Sequence, residues 1–310
     1  MQRANERAEV VCFGMVTPAV VLIVDSLPEH NTGGVTREVC EFISDDAAII
    51  ACLLPRWSVR SGLIGSAVGD DAAGRRLARR LKSLGVLGKV RLSPSLTTPF
   101  EVNVSDRTGA RTYFWQRTPE FLDTLDTADL SLLQGSRLLY VDWYDGDHIL
   151  RPMDEAARLG VPVYLNLEYG HEDSDKLENY AKRAAICQAT TDSAQLGGDP
   201  LSVAQKLLDA GADTALVTLA GEGCLAARGK QVLRAYAPKV SVVDGCGAGA
   251  TFSAGFAYGY LQNWSLENSV RFAVAAASLK CAVVGPRAFP LEEIEKLAAE
   301  IEVEHYTVSG

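Results

Sequence analysis

The residues best suited to chemistry in this 310-residue chain lie in one short glycine-rich segment. Gly247, Ala248 and Gly249 follow a β-rich run and precede a helical pattern of small residues over 250–262. Small residues at the start of a helix let a ligand approach the backbone closely, and the free N–H groups there bind anions. The segment therefore predicts a phosphate-binding turn. Tight packing of helix against sheet is the alternative explanation for the same glycines.

The rest of the chain predicts the elements that position this turn. Short apolar, β-branched runs alternate with amphipathic helices such as 72–85 and 202–210. This alternation indicates βαβ units and a parallel sheet. Near the C-terminus we expect a hairpin at 228–230 and helices at 266–281 and 291–303. The predicted buried strands are 10–14, 61–65, 138–142, 163–167, 185–189 and 215–219.

Two regions interrupt the alternation. Segments 19–25 and 35–43 are strand-like without a helix between them, and 99–105 pairs with 111–115 around an Asp-Arg-Thr-Gly turn. They predict a small antiparallel sheet outside the main domain. The expected division is a core of residues 1–16, 44–96 and 116–310 and a β lid of residues 17–43 and 97–115.

Residues 243–255 resemble the C-terminal signature of the ribokinase-like (PfkB) carbohydrate kinases, Asp-Thr-x-Gly-Ala-Gly-Asp-x-Phe-x-x-Gly. Residues 65–74 and 217–223 resemble two further family motifs, so the resemblance covers nearly the whole chain. It implies an α/β, doubly wound, mainly parallel core with a β lid over the sugar site. It also implies binding of ATP and Mg²⁺ by an active member. The matching positions are Asp244, Gly247, Ala248, Gly249, Phe252 and Gly255 in the signature, and Thr218, Gly221 and Gly223 on the nucleotide side.

The chain departs from the family at the positions that perform the reaction. The aspartate that serves as general base in the family is Ala250 here, and alanine has no proton to exchange. The family's Asn-x-x-Glu, which organises magnesium and phosphate, is replaced by Thr190 and Ser193. Asp192 offers a carboxylate one position early. Asp244 is the candidate for a substitute base near the turn.

The sugar-binding positions implied by the resemblance are also replaced. Ala19 stands at the aspartate that binds hydroxyls, and Ser44 and Asp45 stand at a glycine pair. Ile49 stands at the hydroxyl-binding asparagine. Asp45 and Asp46 fall where a sugar would lie, where they would bind a cation or amine. A solvated turn that caps the next helix is the alternative for both.

Two functions follow as hypotheses. The first is a carbohydrate-kinase fold with little or no phosphotransferase activity that binds a nucleotide, a metabolite or a partner. The alternative is an active ATP- and Mg²⁺-dependent kinase that phosphorylates a hydroxyl of a sugar or related small molecule, with Asp244 or Asp46 as base. The first hypothesis rests on four coordinated losses, because fold alone does not determine function.

The composition limits the classes of molecule that we expect this protein to bind. The net charge is −9, and no run of five or six Lys or Arg occurs, which argues against a nucleic-acid or anionic-membrane surface. Seven scattered cysteines without paired spacing fit a reducing cytoplasm. The four histidines lie far apart, so we expect no metal site built on them. A small-molecule ligand or nucleotide, a cytoplasmic location and a homodimer through the lid are the remaining expectations.

Overall fold

A nine-stranded sheet forms the centre of the structure, a computed structural model that describes residues 7–191 and 198–307. Six strands run parallel, and the last three continue the sheet antiparallel. In sheet order the strands are β4 (Ser61–Gly65), β1 (Val10–Gly14), β9 (Leu138–Asp142), β10 (Val163–Glu168), β11 (Ile186–Thr190), β12 (Thr214–Thr218), β13 (Cys224–Arg228), β14 (Gln231–Ala235) and β15 (Val303–Thr307).

The sheet is doubly wound. The chain passes from β1 to β4 on one side and later to β9 on the other, so the winding direction reverses beside β1. Side chains of the central strands alternate between two apolar clusters: Val10 and Cys12 join one, and Val11 and Phe13 join the other. Helices cover both faces, as a parallel sheet requires. The predicted α/β class with a mainly parallel core is confirmed.

The helices divide between these two faces. The first cluster contains side chains from α1 (Asp46–Leu53), α2 (Ala72–Ser83), α7 (Ala248–Leu261), α8 (Leu266–Cys281) and α9 (Leu291–Glu300). The second contains side chains from α4 (Leu150–Leu159) and α6 (Pro200–Asp209). The shorter helices are α3 (Pro119–Leu122) and α5 (Ser174–Asn179). Turns of 3₁₀ helix span Leu54–Trp57, Asp123–Thr127, Ser131–Leu133, Trp143–Ile149, Tyr169–Glu172, Ala181–Arg183 and Ala220–Glu222.

A second sheet forms the lid. Its strand order is β3 (Thr36–Ser44), β2 (Thr17–Val24), β7 (Glu101–Ser105) and β8 (Arg111–Phe114). The expectation of a purely antiparallel sheet is wrong, because β2 and β7 pair in parallel. A separate two-stranded pair joins β5 (Val68–Gly69) to β6 (Leu92–Ser93).

The C-terminal segment differs from its sequence prediction. The helix expected over 291–303 ends at Glu300, and Val303–Thr307 pairs antiparallel with β14 as the edge strand β15. Edge pairing supplies hydrogen-bond partners that the helical pattern does not reveal. In the part of the chain that the structure describes, no helix is both long and apolar enough to span a lipid bilayer.

Candidate functional site

The candidate site lies at the carboxyl ends of the parallel strands, beside the point where the winding reverses. Asp142 ends β9, and Glu168 ends β10. Helix α1 begins at Asp46, and α7 begins at Ala248 directly after the glycine-rich segment. In doubly wound folds, ligands bind in the crevice at this edge of the sheet.

The glycine turn, residues 247–249, has an open backbone and N–H groups without acceptors among the described residues. Gly247 has φ +76°, and a Cβ atom there would lie 2.7 Å from Cγ of Pro286. A Cβ at Gly249 would have no atom within 4 Å, so this residue borders open space. Helix geometry leaves the first N–H groups without intrahelical acceptors, and those of Gly249 and Ala250 have no acceptor among the described residues. Anion binding at the turn stays a prediction that this geometry permits.

Asp244 is fully buried and saturated with hydrogen bonds. Its Oδ1 accepts from Ser105 Oγ at 2.6 Å and from the N–H of Cys246 at 2.9 Å. Its Oδ2 accepts from Lys280 Nζ at 3.1 Å and from the N–H of Gly285 at 2.8 Å. Burial alone would raise the pKa of Asp244, but Lys280 and the hydrogen bonds outweigh it and lower the pKa. These contacts make Asp244 a structural group and remove it as a candidate base.

The three apolar replacements are buried together. Ala19, Ile49 and Ala250 are 2%, 4% and 1% exposed and belong to one apolar cluster. A Cβ at Gly247 would lie 3.5 Å from Cδ1 of Ile49, so the Ile49 side chain packs against the glycine turn. These side chains offer neither a donor nor an acceptor for a sugar hydroxyl.

Ser44 and Asp45 are engaged with the protein itself. Ser44 Oγ donates to Glu101 Oε2 at 2.9 Å. Asp45 has φ +74° and ψ +139°, a conformation that favours glycine, and its carboxylate pairs with Arg117 and accepts from Thr17 Oγ1 at 3.1 Å. The alternative in which Asp45 caps α1 is wrong, because its side chain makes no capping hydrogen bond.

Arg117 joins two acidic residues beneath the lid. Its guanidinium pairs with Asp45 and also with Asp145, at 2.5 Å. Burial alone would lower the pKa of Arg117, but these two carboxylates and that of Asp142 outweigh it and raise the pKa. Burial raises the pKa of Asp145 to about 6 despite this partner. The charge of Asp45 is therefore already neutralised, which leaves Asp46 as the aspartate of this pair available to a ligand.

Asp46 meets two carboxylates that sequence reasoning missed. Asp46, Asp142 and Glu168, called the acidic cluster below, each place one carboxylate oxygen within 4.8 Å of the others. Asn166 Nδ2 contacts all three, at 3.3 Å from Asp46, 2.9 Å from Asp142 and 3.3 Å from Glu168. The sequence could have indicated these two residues, because Asp142 ends one predicted strand and Glu168 directly follows another. Residues at the carboxyl ends of such strands line the ligand-binding crevice.

The environment of the acidic cluster favours protonated carboxyl groups in the absence of a ligand. Burial, followed by repulsion from Glu168, raises the pKa of Asp46 to about 7. Burial and repulsion from Asp46 and Glu168 raise the pKa of Asp142 well above its ordinary range. Burial also raises the pKa of Glu168, against the charge of Arg111 and a hydrogen bond from Tyr144.

The lid contributes a positive charge to the same cleft. Arg111 begins β8 and remains accessible to solvent. Loss of hydration alone would lower the pKa of Arg111, but Cys246, Asp46 and Glu168 raise it. The Arg111 guanidinium therefore interacts electrostatically with both Cys246, just before the glycine turn, and the acidic cluster.

The residues predicted on the nucleotide side, Thr218, Gly221 and Gly223, have different surroundings in the structure. Thr218 Oγ1 lies 2.9 Å from Thr190 Oγ1, and a Cβ at Gly221 would meet no atom within 4 Å. Gly223 has φ +96°, and a Cβ there would lie 2.0 Å from the carbonyl oxygen of Ala235, so the fold itself requires this glycine. Asp192 and Ser193 lie outside the described residues. Thr190, the described part of the Asn-x-x-Glu position, is bonded to Thr218 and offers neither the amide nor the carboxylate oxygen of the family motif.

One histidine does lie among carboxylates. Asp123, Asp126 and His148 form a second group of potential ligands, with His148 Nδ1 2.7 Å from Asp126 Oδ1. Both aspartates are exposed to solvent. Exposed acidic groups are common at protein surfaces, so this group does not alter the expectation that the histidines build no metal site.

Comparisons with known proteins agree with this architecture. The nucleoside kinase of Methanothermobacter thermautotrophicus is 25% identical over 282 residues, which are 88% of this chain and 89% of that kinase. A microbiome-derived acarbose kinase superposes with a TM-score of 0.79 at 22% identity, covering 94% of this chain and 99% of its own. Arabidopsis thaliana ribokinase, solved with ribose and ATP, superposes with a TM-score of 0.70 at 20% identity, covering 94% and 99%.

The solved structures at these identities establish the fold. A family model described as pfkB family carbohydrate kinase matches residues 8–294, which is most of the chain. The resemblance first seen in the glycine turn is therefore confirmed over the core and the lid, and the chain belongs to the pfkB family of carbohydrate kinases.

Proposed function

We propose that this protein binds a nucleotide or a related anionic metabolite in the pfkB cleft and has little or no sugar-kinase activity. The observation that carries the proposal is Ala250, which is 1% exposed at the position of the family's general base. Phosphoryl transfer to an alcohol needs a group that accepts the hydroxyl proton, and that help contributes about 10²–10⁴ in rate.

Asp244, Ala19 and Ile49 do not replace what Ala250 lacks. Asp244 is held by four hydrogen bonds. Ala19 and Ile49 are buried apolar side chains where hydroxyl-binding groups are expected. A sugar would lack both its base and its positioning contacts, and positioning is a large share of catalysis.

The anion-binding side of the cleft supports retained binding. The glycine turn keeps an open approach at Gly249 and N–H groups without acceptors among the described residues. Arg111 adds a positive charge from the lid beside Cys246. Backbone donors do not depend on side-chain identity, so they persist after the catalytic side chains are lost.

An active ATP- and Mg²⁺-dependent kinase is the second candidate. The specific observation that favours it is Asp46, a carboxylate at the start of α1 in the same cleft, hydrogen-bonded by Asn166. Relatives such as the nucleoside kinase carry kinase names. In this function Asp46 would accept the proton of the acceptor hydroxyl.

Two measurements distinguish the two candidate functions. Phosphorus NMR with ATP, Mg²⁺ and a panel of sugars and nucleosides reports turnover, and calorimetry reports nucleotide binding with and without Mg²⁺. We expect weak nucleotide binding, little gain from Mg²⁺ and no turnover above background. Clear turnover with one acceptor that is lost in Asp46→Asn would establish the second candidate.

A matched pair of variants tests the glycine turn. Gly249→Leu places a side chain in open space at the turn, so nucleotide affinity should fall about tenfold or more while folding is kept. Ala299→Leu adds a leucine on the exposed face of α9 and should leave affinity unchanged. Equal affinities in the two variants would remove the turn as the binding site.

A further inference from the structure

We propose that Asp46, Asp142, Glu168 and Asn166 form a binding site for a hard divalent cation at the bottom of the cleft. The site is separate from any magnesium carried by a nucleotide, and it does not depend on the function proposed above. Three carboxylates from α1, β9 and β10 converge there, with one oxygen of each within 4.8 Å of the others.

The hydrogen-bonding pattern of Asn166 is the second observation. Asn166 is 0% exposed, and its amide is aimed into the acidic cluster, with Nδ2 within 3.3 Å of an oxygen of each carboxylate. An NH₂ group has two hydrogens, so it cannot donate to three carboxylates at once. Its Oδ1 is buried without a hydrogen-bond partner among the described residues. A buried amide in this state is a polar group without its full set of partners.

A bound cation would give Asn166 Oδ1 the partner that it lacks. A half-turn of the amide about the Cβ–Cγ bond exchanges its two terminal atoms and places Oδ1 beside the three carboxylate oxygens. Four oxygens would then face one point, at separations of 2.9–3.3 Å from Oδ1. Adjacent ligands around an ion are about 3.0 Å apart for bonds of about 2.1 Å, and about 3.4 Å apart for bonds of about 2.4 Å.

The ligand set defines the class of ion. Carboxylate and amide oxygens without sulfur or imidazole select Mg²⁺, Mn²⁺ or Ca²⁺ over softer metals. Carboxylate oxygens that lie within 4.8 Å of one another can be reached by one ion with bonds of about 2.4 Å, a length typical of Ca²⁺.

Charge and access also favour a cation. The three carboxylates repel one another when ionised, and among the described residues no salt bridge joins a Lys or Arg to Asp46, Asp142 or Glu168. Arg111 and Arg117 are nearby cations that lower the pKa values of Asp46 and Glu168 without forming such a pair. Asp46 and Glu168 are partly exposed, so an ion has a path from the cleft.

The test uses the full chain after chelator treatment, without nucleotide. Electron paramagnetic resonance follows the loss of free Mn²⁺, and calorimetry follows Ca²⁺. We expect one ion per chain with a Kd below about 1 mM, and a rise in melting temperature when the ion is added. Glu168→Gln and Asp142→Asn should each weaken binding by about tenfold or more.

Asp126→Asn is the matched control, because Asp126 belongs to the exposed group with Asp123 and His148. It should leave the affinity unchanged. Without ions, Glu168→Gln should melt no lower than the wild type, since it removes one of three carboxyl groups whose burial and mutual repulsion disfavour ionisation. Asp46→Asn provides a further variant if another fails to fold.

Three results would overturn the proposal. They are no Mn²⁺ or Ca²⁺ binding tighter than about 1 mM, binding that survives in the variants of the acidic cluster, or binding that is lost in Asp126→Asn. None of them bears on nucleotide binding or turnover, which the nucleotide experiments measure separately.

Discussion

Ser105, the last residue of lid strand β7, donates a 2.6 Å hydrogen bond to Asp244, three residues before the glycine turn. Both side chains are fully buried. Asp244 in turn accepts from the N–H of Cys246, which immediately precedes the turn. The position of the lid and the shape of the anion-binding segment are therefore connected through one carboxylate.

Removing the Ser105 hydroxyl should destabilise the protein. In Ser105→Ala the buried carboxylate loses one donor, so the free energy of unfolding should fall by about 1.5–3 kcal/mol, as for hydrogen bonds to charged groups. Urea unfolding measures the change. Ser131→Ala breaks an exposed Ser–Asp bond of 2.9 Å and should cost less than about 0.5 kcal/mol. Equal losses in both variants would contradict a special role for Ser105.

Lys280→Met should destabilise the fold most at neutral pH. It leaves the buried Asp244 carboxylate without its ammonium partner, a change that costs about 3–5 kcal/mol. In the wild type the pKa of Asp244 is lowered below its ordinary 3.8, so its contribution to stability is present above that value and is lost as pH falls through the lower, folded-state pKa.

In Lys280→Met, the contribution of Asp244 to stability should change with pH in the opposite direction. Without Lys280, burial raises the pKa of Asp244, so its penalty fades as the carboxyl group takes up a proton in acid. Urea unfolding should therefore show a smaller difference in the free energy of unfolding between variant and wild type near pH 4 than at pH 7. Lys206→Met, at an exposed lysine 3.8 Å from Glu172, is the control. If the difference in the free energy of unfolding did not change with pH, this electrostatic explanation would be ruled out.

Ala250→Asp should not create a sugar kinase. The new carboxylate would supply a base, but Ala19 and Ile49 would still offer no contact to a sugar hydroxyl. Coupled assays with ribose and fructose should show no phosphorylation above background, and circular dichroism should confirm that the variant is folded. Robust phosphorylation by the single variant would show that positioning survives through other residues.

Common hexoses and pentoses at millimolar concentration should not raise the melting temperature. Discrimination among hydroxyls needs buried donors and acceptors, and Ala19, Ile49 and Ala250 provide none. Because Arg117 already pairs with Asp45, a positively charged ligand should depend on the acidic cluster instead. A thermal-shift screen of sugars, nucleosides and amines measures this. A clear shift with one simple sugar would favour the kinase function.

The lid should mediate a homodimer. Edge strand β3 and its preceding loop expose Val39 (58%) and Val35 (78%), and edge strand β8 exposes Phe114 (64%). Exposed apolar side chains on sheet edges favour association. Light scattering after size exclusion should give a dimer for the wild type and a monomer for Val39→Lys. A wild-type monomer at the highest soluble concentration would contradict the prediction.

Local patterns in the sequence determined much of the fold. Strands β1, β4 and β9 and helix α8 lie where apolar periodicity predicts them, because buried faces impose that periodicity on neighbouring residues. The glycine turn was also visible, since its small residues are consecutive. The substitutions Ala19, Ile49 and Ala250 could be found by resemblance, and their burial follows from their apolar character.

Only the tertiary structure decided which charges meet. Asp45 and Asp46 are neighbours in sequence, yet Asp45 pairs with Arg117 while Asp46 joins Asp142 and Glu168. The bend at Asp45, with φ +74°, sends the two side chains to different partners. Strand order brings the ends of β9 and β10 to the start of α1, and no local pattern records that order. The saturation of Asp244 by Ser105 and Lys280 was hidden for the same reason, since its partners come from the lid and from α8.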